Sequence, residues 1–104
     1  MSDGRELTLI LSERRLDTDS APRFYEALMR NIGGATSLVV NMAAVVYISS
    51  AGLRALLSAQ HAMGEEGRVT LRNVNKEVMN ILEVTGFSEI FNVELAAGSE
   101  EVQG

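Results

Sequence analysis

Apolar residues recur along this chain with two periods, and the change from one to the other marks its elements. Glu6 to Leu11 alternates, with Leu7, Leu9 and Leu11 on one face of a predicted strand. The polar segment Ser12 to Asp17 turns the chain, with a second short strand passing through it. Asp17-Thr18-Asp19-Ser20 is rich in N-cap residues and Pro22 suits a first turn, so a helix is predicted to follow. Its apolar stripe is Ala21, Phe24, Leu28 and Ile32, its outer side carries Arg23, Glu26 and Arg30, and Gly33-Gly34 ends it. Leu38-Val39-Val40 is continuously apolar and β-branched, as in a strand covered on both faces. Leu53, Leu56, Leu57 and Met63 then mark a second helix, closed near Gly64 and Gly67. Arg68 to Arg72 alternates again, with Val69 and Leu71 inward and Thr70 outward. Asn75 is placed to cap a third helix that buries Val78, Ile81 and Leu82, and Gly86 supplies its left-handed exit, followed by Phe87. A last strand is predicted within Ile90 to Leu95, and the small, acidic stretch 96–104 reads as a frayed tail.

Strands that alternate with helices imply crossover units and a largely parallel sheet. The expected fold class is therefore α/β: one domain over residues 1–104, with a core over about 6–95. Its sheet is small and mixed to mostly parallel. A length of 104 residues suits one hydrophobic core. Few aromatics and no Trp make that core aliphatic, and the absence of Cys removes disulfides, thiolate metal sites and a cysteine nucleophile. A formal net charge of −5 argues against nucleic acid and against an anionic membrane surface. The first residues do not read as a signal peptide, and Asn41, Tyr47, Ser49, Ser50 and Arg54 interrupt the longest apolar stretch, so neither secretion nor membrane insertion is expected. A cytoplasmic location follows by default.

Catalytic chemistry is hard to assemble from these residues. The lone His61 falls on the polar side of the second helix, where a solvated surface histidine is the ordinary reading, and no further ligands stand at helical spacing to make a metal site. The glycine pairs lack the ending of a phosphate-binding loop. No enzyme activity, cofactor or metal is expected. The run from Val39 to Leu57 is different: a buried strand leads through a loop into a helix that opens on Ser49-Ser50-Ala51-Gly52. The simplest role for the two serines is to cap that helix. The alternative is reversible phosphorylation, since a phosphoserine of charge about −2 is favoured at a helix N-terminus by roughly 0.3–1 kcal/mol. Gly52, without a side chain, would let another backbone approach the first turn.

These segments resemble the STAS domains of the bacterial anti-sigma factor antagonist family over roughly Glu6 to Leu95. Leu16-Asp17-Thr18 with Ala21-Pro22 is similar to the family's loop and first helix. Leu38 to Asn41 and Tyr47 to Arg54 resemble its central strand and phosphorylation loop, and Val84 to Phe87 the end of its third helix. The resemblance implies a small β-sheet with helices packed mainly on one face. It also implies that the serine two residues before the loop glycine, Ser50 here, is phosphorylated by an anti-sigma factor acting as an ATPase-type serine kinase. The unphosphorylated form would bind that kinase and free a sigma factor, and a serine phosphatase would reset the switch. This chain has Ser49 where many members carry an aspartate, which makes Ser49 the alternative acceptor, and it has Ala43-Ala44 and Arg14 at positions usually acidic and glycine. Asp17 resembles an acidic residue near the family's phosphorylation site.

The partner face expected from this resemblance comprises Asp17, Ser49, Ser50, Gly52 and the row Arg54, Ser58 and His61 on the second helix. Spacing alone leaves that row equally consistent with an ordinary solvated helix face. The competing reading is a STAS subunit of a transport or signalling assembly that uses the same face without phosphate. A module holding a nucleotide or lipid comes third.

Overall fold

The computed structural model describes residues 5–97. Its strands are β1 (Arg5–Ile10), β2 (Arg15–Leu16), β3 (Ala35–Asn41), β4 (Tyr47–Ile48), β5 (Arg68–Val74) and β6 (Asn92–Leu95), and its helices are α1 (Ala21–Asn31), α2 (Ser50–Met63) and α3 (Lys76–Thr85). The main sheet runs β1-β3-β5-β6, while β2 and β4 form a separate pair. Every described pairing is parallel. This is the mostly parallel arrangement expected from strands joined by helices; no antiparallel pair occurs among the described strands.

The helices cover one face of the main sheet. Leu38, Val40, Val69 and Leu71 point into a core shared with Phe24 and Leu28 of α1, Leu53, Leu56 and Ala59 of α2, and Val78 and Leu82 of α3. Ile32 and Ile81, expected in the helical stripes, pack at the margin of this core. Val39 and Thr70 point the other way, in register with Thr8 on β1 and Asn92 on β6. Both are nevertheless nearly covered, at 2% and 5% exposure. Thr70 thus takes the outward orientation that alternation assigned it, yet it is buried there. It lies on a central strand with a neighbour on each side, and the Asn92 amide donates to its hydroxyl at 3.2 Å.

Helix ends follow the local signals. Asn75 Oδ1 accepts from the Val78 N–H at 2.8 Å, and Gly86 leaves α3 at φ 84°, a conformation that favours glycine. A short 3₁₀ turn, Phe87–Glu89, leads into β6. At the start of α1, Ser20 is the cap residue but makes no capping bond with its side chain. Ala96 still donates to Val74 O at 2.8 Å; of the frayed tail expected over 96–104, the part from 98 onward lies outside the described residues.

Candidate functional site

The site is built where the β2–β4 pair meets the start of α2. Two residues per strand give little ladder, so bonds on either side extend it: Val46 N–H donates to Arg14 O at 2.7 Å and Ser49 N–H to Leu16 O at 3.0 Å. The loop ahead of β4 is tied from below. Met42 N–H donates to Arg72 O at 2.8 Å, Ala43 N–H to Asn41 Oδ1 at 3.0 Å, and the Asn75 amide to Val45 O at 3.1 Å. Asn75 therefore serves twice, capping α3 and holding the loop that delivers Ser49 and Ser50.

The two serines have different environments. Ser49, extended at φ −89° and ψ 177°, is the N-cap: its hydroxyl accepts from Gly52 N–H at 3.3 Å and its carbonyl from Leu53 N–H at 2.9 Å. Ser50 is the first residue of α2 and is exposed, whereas Ser49 is half-buried. One hydroxyl is thus occupied by capping while its neighbour faces solvent at the positive end of the helix. Gly52 is buried against β2. A Cβ there would collide with the Leu16 carbonyl oxygen and lie 3.0 Å from Ile48 Cγ2, so the close backbone approach inferred from sequence is present.

Asp17 follows β2 directly and belongs to the same surface. Its Oδ1 accepts from the N–H groups of Asp19 at 3.0 Å and Ser20 at 3.2 Å, and Arg15 Nε donates to Oδ2 at 3.3 Å. The Ser20 amide above all, with help from Arg15 and the Asp19 amide against partial desolvation, holds this carboxyl below its usual 3.8. The buried Ser20 hydroxyl locks the turn by donating to Arg15 O at 2.6 Å while accepting from Asp17 N–H at 3.0 Å. The cap-rich sequence Asp17 to Ser20 therefore closes a turn ahead of α1 rather than capping it with Ser20.

Arg54, Ser58 and His61 extend the surface along α2. At about 100° per residue they fall with Ser50 inside an arc of roughly 80°, opposite the Leu56 and Ala59 side. Arg54 and His61 are exposed and Ser58 is half-buried. The structure thus gathers Asp17, Ser49, Ser50 and Gly52 at one point and lets the other three lead away from it. Sequence reasoning missed Arg15, Val46 and Tyr47 beside them. The Arg15 guanidinium lies 4.5 Å from the centroid of the Tyr47 ring, its register partner across β2–β4, and Val46 and Tyr47 are 38% and 39% exposed. Only the apolar pair Val46-Tyr47 next to the two serines could have signalled them, because strands this short show no alternation.

Among the described residues no cluster of three His, Asp or Glu side chains could hold a metal ion, and no helix is long and apolar enough to cross a membrane.

Comparison with known proteins gives a consistent picture. The STAS domain family model matches residues 5–100. A STAS-domain containing protein of Pseudomonas aeruginosa (strain UCBPP-PA14) is 31% identical over 93 residues, 88% of this chain and 91% of that protein. Among solved structures, a sulfate transporter family protein from Wolinella succinogenes superposes with a TM-score of 0.76 at 18% identity, over 90% of this chain and 80% of that one. A structure described as an anti-sigma factor antagonist from Thermotoga maritima superposes with a TM-score of 0.72 at 19% identity, over 86% and 80%. At these identities the two structures bear on the fold.

Proposed function

The chain belongs to the STAS domain family, and from that membership we propose that it is a non-enzymatic anti-sigma factor antagonist controlled by phosphorylation of Ser50. The observation that carries this reading is the division of labour between the two serines. Ser49 spends its hydroxyl on the helix cap, and Ser50 presents its own at the exposed first position of α2. An ATPase-type anti-sigma factor acting as kinase would transfer the γ-phosphoryl group of ATP to Ser50 Oγ, releasing ADP and the hydroxyl proton. A serine phosphatase would hydrolyse the ester to serine and inorganic phosphate.

In the unmodified state the partner would lie against Asp17, Ser49, Ser50 and Gly52 and along Arg54, Ser58 and His61. A phosphate of charge about −2 at Ser50 would then have to be desolvated against that partner, beside the ionised Asp17. Binding would fall without any change of fold, because the surrounding turns are held by their own backbone bonds.

The test is intact mass after incubation with ATP and each ATPase-type anti-sigma factor from the same source. A gain of one phosphate, lost in Ser50→Ala, supports the switch; uptake that persists in Ser50→Ala moves the acceptor to Ser49. Ser50→Asp should weaken kinase binding and leave the melting temperature nearly unchanged. A second reading, a STAS subunit of a transport or signalling assembly that binds through the same face and never cycles, is favoured by the likeness to the sulfate transporter family protein and by Ser49 standing where many antagonists carry an aspartate. No phosphate uptake, with partner binding intact in both serine-to-alanine variants, would select it.

A further inference from the structure

We propose that an exposed flank of α1 seats a second copy of this chain, forming a two-fold symmetric dimer in solution. On the flank of α1 beside its buried stripe, Tyr25 and Met29 stand one turn apart at 44% and 45% exposure. With Pro22 they make an apolar stripe bordered by Arg23, Glu26 and Arg30. Glu26 and Arg30 also lie one turn apart, on one flank of that stripe, 4.0 Å from each other and 72% exposed each.

The occupant follows from the spacing. When two copies of one helix pack antiparallel about a two-fold axis, residues equally far above and below the axis face each other, and like flanks meet. The pair Tyr25 and Met29 is centred on Ala27, and the pair Glu26 and Arg30 is centred on Leu28. Those centres are adjacent, about 1.5 Å apart along the helix, so one axis serves both pairs. It sets each Tyr25 ring over the partner copy's methionine at the same time as each Glu26 meets the partner copy's arginine. The face is thus complementary to itself in both shape and charge, whereas a partner of single charge would leave either Glu26 or Arg30 opposed by its like. Self-association requires no modification of Ser50.

Sedimentation equilibrium of the full chain, from micromolar to near-millimolar concentration, tests the proposal. The wild type should approach twice the 11.3 kDa chain mass as concentration rises. Met29→Glu should remain a monomer, and Glu26→Arg should weaken self-association by about tenfold, since two attractive pairs become repulsive. The double variant Glu26→Arg with Arg30→Glu restores both pairs in the opposite sense and should recover the dimer. All of these positions are exposed, so thermal melts should match the wild type to within a few degrees. A wild type that stays at the monomer mass throughout would overturn the proposal. So would a dimer indifferent to Met29→Glu, or one that the charge exchange does not rescue.

Discussion

Gly52→Ala adds one methyl group where α2 runs into β2, and the structure determines how badly it fits. The new Cβ would collide with the Leu16 carbonyl oxygen and lie 3.0 Å from both the Leu16 carbonyl carbon and Ile48 Cγ2. Two of those three atoms are backbone, so the strain cannot be relieved by a rotamer; the first turn of α2 must back away. Overpacking of this kind costs about 1–3 kcal/mol. Retreat also lengthens the Ser49 N–H to Leu16 O bond, now 3.0 Å, and a lost hydrogen bond adds about 1 kcal/mol. Against this, alanine in place of glycine inside a helix returns about 1 kcal/mol. The net expectation is a loss of about 1–3 kcal/mol, seen as a fall of roughly 5–15 °C in the melting midpoint by circular dichroism. Gly33→Ala is the control: a Cβ there meets nothing within 4 Å, and the change should stay within about 0.5 kcal/mol. If Gly52→Ala melts at or above the wild type, the close approach of α2 to β2 is not what positions Ser50.

Other variants address the remaining supports of the site. Asn75→Ala removes both the α3 cap and the bond to Val45 O, and should lower stability in urea by about 1–2 kcal/mol. Ser49→Ala should cost about 1 kcal/mol for the lost cap, while Ser50→Ala should fall within about 0.5 kcal/mol of wild type; the reverse order would exchange the roles assigned to the two hydroxyls. The folded-state pKa of Asp17 is depressed, so its contribution to stability is complete above 3.8 and disappears as pH falls through the lower folded value. Melts across the acid range should therefore show a shallower pH dependence in Asp17→Asn than in wild type, with the two curves converging at the acid end.

What could be read from the chain follows the reach of the signal. α1, α2 and α3 were legible because their apolar positions repeat every turn, and Asn75 and Gly86 because a cap and a left-handed exit are properties of a few adjacent residues. β1 was legible as a short alternating run, and β6 occupies the later part, Asn92–Leu95, of the strand expected within Ile90 to Leu95. Alternation placed Thr70 correctly on the face opposite Val69 and Leu71, but it could not show that this position is buried or that its hydroxyl is bonded by Asn92, 22 residues away. The Asp17 to Ser20 segment carried the residues of a cap, and only the position of the Arg15 carbonyl turned Ser20 to another purpose. For the site, the loop and its two serines stood out in sequence, but neither their difference in exposure nor the Arg15–Tyr47 contact did, since β2 and β4 are too short to announce their pairing.

By itself, then, the sequence determined the α/β class, the helices and their buried stripes, the aliphatic core and the strand-to-helix step that holds Ser50. All of these follow from periodicity and from bonds that span only a few residues. The tertiary structure decided which serine caps and which is exposed, where Asp17 lies relative to them, and why position 52 has no room for a side chain. Those outcomes depend on the parallel contact of β2 with β4, which joins residues some 32 apart in the chain. Local patterning is silent about such contacts, because a core packs whole elements together and only then brings their ends into register.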